Sequence, residues 1–125
     1  MRVGVIGSRG LTVNNLEKYL PMEVTAIVSG GARGIDSCAA KWAQKNNIEL
    51  IEFLPEYNRF GRSAPLRRNI TIIDNSDIVL AFWDLKSRGT AFVIKKCMEQ
   101  GVPVRIYTPS QNNINVYIPY NGAIY

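Results

Sequence analysis

Three glycine-rich segments hold the residues of this chain whose types and spacing are best suited to chemistry. Each follows a short apolar run and carries one arginine, and they span residues 7–10, 29–34 and 87–90. Glycine lets the backbone approach an anion closely, and the N–H groups and dipole at the start of a helix stabilise negative charge. Three such segments predict a pocket for a nucleotide or a sugar phosphate. The alternative is that the glycines form tight turns only.

The positive charge of the chain is concentrated near these segments. The formal net charge is +5. Seven arginines fall in or beside predicted loops at strand ends: Arg9, Arg33, Arg59, Arg62, Arg67, Arg68 and Arg88. The planar guanidinium group suits phosphate and carboxylate, and a positive pocket mouth attracts a nucleotide or a nucleic-acid backbone. We therefore expect an anionic ligand.

Several mechanisms are excluded or disfavoured by residues that the sequence lacks. It has no histidine, which excludes the usual Ser/His and Cys/His nucleophiles and histidine-containing zinc sites. The second apolar run ends in Ser29-Gly30-Gly31, where a dinucleotide fold would carry an acidic residue for a ribose hydroxyl. NAD and FAD as redox cofactors are therefore disfavoured, and we expect neither a cofactor nor a metal. Cys38 and Cys97 are expected to be buried free thiols on opposite faces of the sheet.

Strand and helix patterns alternate along the chain. Strands are predicted at 2–6, 25–28, 49–53, 78–82 and 103–106, and helices at about 12–20, 33–46, 62–75 and 89–100. This alternation predicts a single-domain α/β protein with a three-layer, Rossmann-like, doubly wound parallel sheet. Right-handed crossovers favour the strand order 3-2-1-4-5. Strands 1 and 4 then lie side by side, and the three glycine segments converge on one crevice.

Two segments are less regular. Residues 54–66 are interpreted as a flap over the pocket or, alternatively, as a disordered loop. The domain proper is placed at residues 1–106, and residues 107–125 form a tail whose 115–118 stretch could be an edge strand or a dimer contact. No apolar stretch is long enough to span a bilayer, so we expect a cytoplasmic protein without a membrane partner.

The chain resembles the SLOG superfamily, which joins the Smf/DprA single-stranded-DNA-binding proteins to the LOG phosphoribohydrolases. The resemblance covers residues 2–106 and is closest to the small stand-alone YspA-like branch. It is carried by the segments Gly7-Ser8-Arg9, Ser29-Gly30-Gly31-Ala32-Arg33-Gly34-Ile35-Asp36, Arg67-Arg68-Asn69, Ala81-Phe82-Trp83-Asp84 and Ser87-Arg88-Gly89-Thr90.

The resemblance implies which residues bind the ligand. Residues 7–9 would form the pocket floor, residues 29–34 one wall, and residues 87–90 the phosphate end. The ligand-binding set is Gly7, Ser8, Arg9, Ser29, Gly30, Gly31, Arg33, Gly34, Asp36, Arg68, Asn69, Ser87, Arg88, Gly89 and Thr90. For Asp36, stabilisation of N–H groups at a helix start is an equal alternative.

One departure from the family pattern bears on enzymatic activity. LOG proteins carry glutamates after a Gly-Thr pair, whereas Phe92 and Val93 stand at those positions here. Glycosidic cleavage needs a carboxylate. We therefore expect a nucleotide or sugar-phosphate sensor or carrier without evident catalysis. The alternatives are a LOG-type hydrolase using Arg68, Asp36 and Asp84, and a single-stranded nucleic-acid binder with stacking aromatics. The resemblance also implies a homo-oligomer.

Overall fold

A six-stranded sheet forms the centre of the protein. The computed structural model describes residues 1–112 and 116–121. The strands are β1 (Arg2–Gly7), β2 (Ala26–Ser29), β3 (Glu49–Glu52), β4 (Ile78–Phe82), β5 (Val104–Pro109) and β6 (Tyr117–Pro119). Their spatial order is β3-β2-β1-β4-β5-β6, with β1 to β5 parallel and β6 antiparallel to β5. The predicted order of the five parallel strands is confirmed.

Helices cover both faces of this sheet. They are α1 (Ile35–Lys45), α2 (Tyr57–Phe60), α3 (Ala64–Asp74) and α4 (Arg88–Gln100). The helix α1 packs on one face through Ile35 and Ala39, while α3 and α4 pack on the other through Ile73 and Ile94. All five residues of β4 are buried, as expected for a strand covered on both sides. The predicted three-layer, Rossmann-like α/β architecture is therefore confirmed.

The two cysteines lie on opposite sides of the sheet and are both free thiols. Cys38 packs beside the α1 core and Cys97 belongs to the core under α4. Burial raises the pKa of the Cys97 thiol to about 11, so this group stays protonated at neutral pH. The predicted placement of the two cysteines on opposite faces of the sheet is confirmed, but Cys38 is half-buried rather than buried.

The predicted helix at 12–20 is wrong. This stretch contains a single 3₁₀ turn, Leu16–Lys18. Asparagines at 14 and 15 favour turns, and Pro21 disfavours a helical conformation at the residue before it, so too few residues remain for a stable helix. Leu16 is only 2% exposed, so the apolar residues of this stretch serve the core from an irregular segment.

The stretch at 54–66 is mostly helical, so the alternative of a disordered loop is wrong. It contains α2, then a 3₁₀ turn at Gly61–Ser63, and it leads directly into α3 with Pro65 in the first turn. Proline is compatible with this position because its missing N–H would have no partner within the helix.

The C-terminal part adds the strand β6 to the sheet edge. Thr108 pairs with Ile118, and the Tyr117 hydroxyl donates a hydrogen bond to the Thr12 carbonyl. Burial raises the pKa of Tyr117 to about 12. The predicted edge stretch begins at Asn115, which lies outside the described residues. Within residues 1–112 and 116–121, no helix is long and apolar enough to cross a membrane.

Candidate functional site

The candidate site lies where β1 and β4 end side by side. These strands are parallel neighbours, with Gly7 beside Phe82, so both of their carboxyl ends open at the same edge of the sheet. The chain leaves β1 toward one face and β4 toward the other, and ligands bind at such a switch point in open α/β sheets. A cavity of about 460 Å³, called the main cavity, lies at this point between the loops after β1 and β4 and the helix α3.

The end of β1 leaves no room for a side chain at Gly7. A Cβ at Gly7 would lie 2.8 Å from the Phe82 carbonyl oxygen and would collide with Ile35. The next residue, Ser8, is 2% exposed, and its hydroxyl accepts a hydrogen bond of 3.2 Å from the Asp84 N–H. Ser8 therefore joins the loops after β1 and β4 and sets the floor of the main cavity.

The loop after β4 is fixed by its own aspartate. One carboxylate oxygen of Asp84 accepts hydrogen bonds from the Lys86 N–H at 2.8 Å and the Ser87 N–H at 2.7 Å. Partial burial raises the pKa of Asp84, but these donors outweigh it and leave the pKa below its ordinary value. Asp84 is therefore charged at neutral pH and shapes the turn that leads into α4.

The first turn of α4 faces the main cavity. Ser87 caps this helix by accepting a hydrogen bond of 3.4 Å from the Thr90 N–H. A Cβ at Gly89 would meet nothing within 4 Å, so the backbone at this position is open on the cavity side. First-turn N–H groups have no acceptor within their helix, and the helix dipole adds positive potential there. This turn therefore offers donors to an anion.

Arg68 is held in place by two hydrogen bonds. Its Nη1 donates to the Gly30 carbonyl at 2.8 Å, and its Nε donates to the Asn69 side-chain oxygen at 2.8 Å. A Cβ at Gly30 would lie 2.8 Å from the guanidinium carbon, so glycine is needed there to make room for the arginine. Burial lowers the pKa of Arg68, while the charge of Asp36 counteracts this effect. The guanidinium group is thus positioned before any ligand arrives.

Asp36 lies in the first turn of α1, beside Arg68. It is 7% exposed and accepts a hydrogen bond of 3.1 Å from the Ala32 N–H. Burial raises the pKa of Asp36, while the Ala32 N–H and the Arg68 charge lower it in part. Asp36 thus stabilises the loop before α1, and it also lines the main cavity.

Comparison with known proteins identifies the family. Residues 6–60 match the model of the YAcAr family, described as the YspA, cpYpsA-related SLOG family. This chain belongs to the SLOG superfamily. It is also similar to the Gene 61 protein of Mycobacterium phage D29, with 34% identity over 84 residues that cover 62% of this chain and 67% of the phage protein. No solved structure matches the chain significantly.

The structure brings most of the predicted SLOG site residues together. Those that line the main cavity are Gly7, Ser8, Arg9, Asp36, Arg68, Asn69, Asp84, Ser87, Gly89 and Thr90. Arg68, Asn69 and the lining residues between 84 and 90 lie beyond the matched family segment, and the structure shows their place in this cavity.

Other predicted site residues lie elsewhere. Ser29 is fully buried, and its hydroxyl has no hydrogen-bond partner within residues 1–112 and 116–121. Gly34 precedes α1 with a φ of 74°, and a Cβ there would lie 2.6 Å from the Arg9 carbonyl oxygen. Arg88 is exposed and does not line the main cavity. Gly30, Gly31 and Arg33 line a second cavity of about 250 Å³, called the side cavity. Residues 29–34 therefore form the wall of a neighbouring space, and only Ala32 among them lines the main cavity.

The apolar side chains that line the main cavity were not predicted from the sequence. Pro65 and Ile72 of α3 and Val93 of α4 complete the main cavity. The helical periodicity of α3 and α4 gives these positions, but only the packing of the two helices decides which apolar side chains border open space. In the described part of the chain, no group of three or more histidine, cysteine, aspartate or glutamate residues could hold a metal ion.

Proposed function

We propose that this SLOG chain binds a nucleotide or a nucleotide-derived phosphate compound in the main cavity and recognises it without cleaving it. One observation carries the proposal: Arg9, Arg68 and the first turn of α4 line a single cavity of about 460 Å³ at the carboxyl ends of β1 and β4. Its volume falls in the range of about 300–1,000 Å³ that is typical of small-molecule sites. Membership of the SLOG superfamily supports a nucleotide-related function at the level of the family.

The lining matches the two chemical parts of a nucleotide. Guanidinium groups and helix N–H groups bind phosphate oxygens through charge-assisted hydrogen bonds. Pro65, Ile72 and Val93 supply apolar surface from α3 and α4, against which a base or sugar can pack. We therefore assign the phosphate to the polar part of the cavity, lined by Arg9, Arg68 and the first turn of α4, and the nucleoside to the apolar surface of α3 and α4.

Binding without chemistry is favoured because the carboxylates of the cavity already hold the protein's own loops. Asp84 accepts two backbone N–H groups, and Asp36 accepts the Ala32 N–H. Val93, which stands at a LOG glutamate position, is 1% exposed in the cavity lining. Stabilising the charge that develops in glycosidic cleavage needs a carboxylate that can face the sugar.

A direct binding measurement tests the proposal. Isothermal titration calorimetry with nucleoside mono- and diphosphates measures affinity, and native mass spectrometry of the purified chain detects any nucleotide that co-purifies. We expect Arg68→Gln to weaken binding by roughly 10- to 100-fold, since a hydrogen bond to a charged group contributes about 1.5–3 kcal/mol. Arg105→Gln is the matched control, because Arg105 is exposed on β5 and does not line the main cavity. Equal affinities of the two variants would refute the assignment.

Glycosidic hydrolysis is the second candidate, and one observation favours it. Asp36 and Asp84 line the same cavity, and their pKa values are shifted in opposite directions, up and down respectively. Carboxyl pairs with separated pKa values are typical of acid–base sites. Incubation with nucleoside 5′-monophosphates, followed by chromatography for free base, tests this candidate. If the chain releases free base and either Asp36→Asn or Asp84→Asn abolishes that release, hydrolysis would replace binding as the proposed function.

The same titrations distinguish nucleotide binding from the third candidate function, binding of single-stranded nucleic acid. Trp83 and Phe60 are half-buried, and the Trp83 indole N–H donates to the Ser87 carbonyl at 3.1 Å, so this ring supports the loop before α4. Affinity for oligonucleotides that falls steeply with salt, together with no affinity for mononucleotides, would favour a nucleic-acid ligand.

A further inference from the structure

A larger groove lies beside the main cavity and shares Arg68 with it. This outer groove, of about 760 Å³, lies between the end of β3 and the helix α3, with α2 at its rim. Arg68 lines the main cavity, the side cavity and the outer groove. Arg9 is shared by the first two, and Leu54 by the last two. The three spaces are therefore neighbours, and Arg68 borders all of them.

The outer groove contains an aromatic ring in contact with two guanidinium groups. The Phe60 ring lies 4.9 Å from the guanidinium carbon of Arg59 and 4.6 Å from that of Arg67. Arg67 is also positioned by a hydrogen bond of 3.0 Å from its Nε to the Ser63 hydroxyl. Aromatic faces and guanidinium planes both stack with nucleobases, with little dependence on which base is present. Phe53 adds a second aromatic side chain to the groove.

The outer groove also contains an acceptor for sugar hydroxyls. Glu52 ends β3 and lines this groove. Its carboxylate lies beside Gly31, where an added Cβ would be 3.2 Å from the carboxylate oxygen. In dinucleotide folds an acidic residue after the second strand binds a ribose hydroxyl. Here glycines stand at that point, and Glu52 reaches the same region from the neighbouring strand.

We propose that the ligand of this site is a dinucleotide, two nucleosides joined through phosphates. One nucleoside occupies the main cavity, the second occupies the outer groove, and the linking phosphates lie against Arg68. In the second site the base stacks at Phe60 and Arg67, and the ribose hydroxyls face Glu52. This assignment rests on the proposed function, because it extends the nucleotide site of the main cavity.

Calorimetry with matched ligands tests the assignment. The probes are the four ribonucleoside 5′-monophosphates and the corresponding symmetrical dinucleotides linked by a 5′,5′-pyrophosphate. We expect at least one dinucleotide to bind roughly 5- to 150-fold more tightly than its mononucleotide, which is the gain from one stacked base. Phe60→Leu and Arg67→Gln should remove this gain and leave mononucleotide affinity unchanged. Arg62→Gln should retain it, since Arg62 is exposed in the same segment but does not line the groove.

The outcomes separate this inference from the proposed function. If mononucleotides bind and dinucleotides bind no more tightly, the inference fails and the proposed function stands. If neither kind binds, both fail. A dinucleotide gain that persists in Arg67→Gln and Phe60→Leu also overturns the inference. Arg67→Gln alone decides this point if circular dichroism shows that Phe60→Leu does not fold. Affinity that keeps rising from two to ten nucleotides of single-stranded DNA would assign the groove to a nucleic-acid chain instead.

Discussion

Replacing Gly89 by aspartate places a carboxylate in the first turn of α4, where the main cavity opens. A Cβ at this position meets nothing within 4 Å, and the residue is exposed, so the change creates no steric conflict within the described structure. Removing a glycine from a helix and adding a negative charge at its N-terminus each stabilise by roughly 0.3–1 kcal/mol. We therefore expect Gly89→Asp to be at least as stable as the parent chain, with a melting temperature that is unchanged or a few degrees higher.

The same substitution should nearly abolish binding of a phosphate compound. The new carboxylate would lie in the part of the cavity that we assign to the phosphate. Two like charges about 4 Å apart near a protein surface repel each other by about 4 kcal/mol, which corresponds to roughly a thousandfold loss of affinity. Gly89→Asn is the matched control because it has the same size without the charge, and it should lose much less.

Calorimetry with nucleoside phosphates and thermal denaturation of the three proteins make this test. The reasoning is refuted if Gly89→Asp binds nucleotide as tightly as the parent. It is also refuted if Gly89→Asn and Gly89→Asp lose affinity equally, since the loss would then come from side-chain size. A large drop in melting temperature for Gly89→Asp would show that the turn cannot accept a side chain.

Three further substitutions give separate tests. Gly30→Ala should displace the Arg68 guanidinium and weaken nucleotide binding by about 10-fold or more, whereas the control Arg105→Gln, outside the main cavity, should not. Asp36→Asn should raise the free energy of unfolding at pH 7, because burial raises the pKa of Asp36 in the folded state and its charge therefore opposes folding there. The difference from the parent should shrink as the pH falls through the raised pKa and vanish below its ordinary value of 3.8. Tyr117→Phe should lower the free energy of unfolding by about 1 kcal/mol through loss of one hydrogen bond, measured by urea denaturation.

For each of these substitutions, one measured result would contradict the prediction. Unchanged affinity of Gly30→Ala would mean that the Arg68 position does not matter for the ligand. A stability difference for Asp36→Asn that grows toward low pH would reverse the sign of the argument. Full stability of Tyr117→Phe would mean that the tail does not depend on its bond to the loop after β1.

The order of the parallel strands could be predicted from the sequence because two general rules fix it. Apolar runs such as Ile78–Phe82 mark strands that are buried on both faces, and crossovers between parallel strands are right-handed. Together these rules place β1 beside β4. Because β1 and β4 are parallel neighbours, the loops that contain Arg9 and Gly89 converge at the same edge of the sheet.

Short elements could not be predicted, because few residues carry too little periodic signal. The segment at 12–20 has apolar residues at helical spacing, yet Pro21 and the demands of the core leave one 3₁₀ turn, Leu16–Lys18. The helix α2 and the strand β6 depend on the surfaces against which they pack. Such segments take their conformation from tertiary contacts rather than from local preference.

The sequence by itself determined the sheet and the positive sign of the site, since strand patterns and charges are properties of local residues. Only the tertiary structure decided which arginines line the main cavity: Arg9 and Arg68 do, whereas Arg88, also predicted to bind the ligand, is exposed and does not. It also paired Arg68 with Gly30, 38 residues away, and placed Arg68 in the lining of both the main cavity and the outer groove. The physical reason is that these contacts depend on how α3 and α4 are rotated against the sheet, which the packing of distant side chains sets.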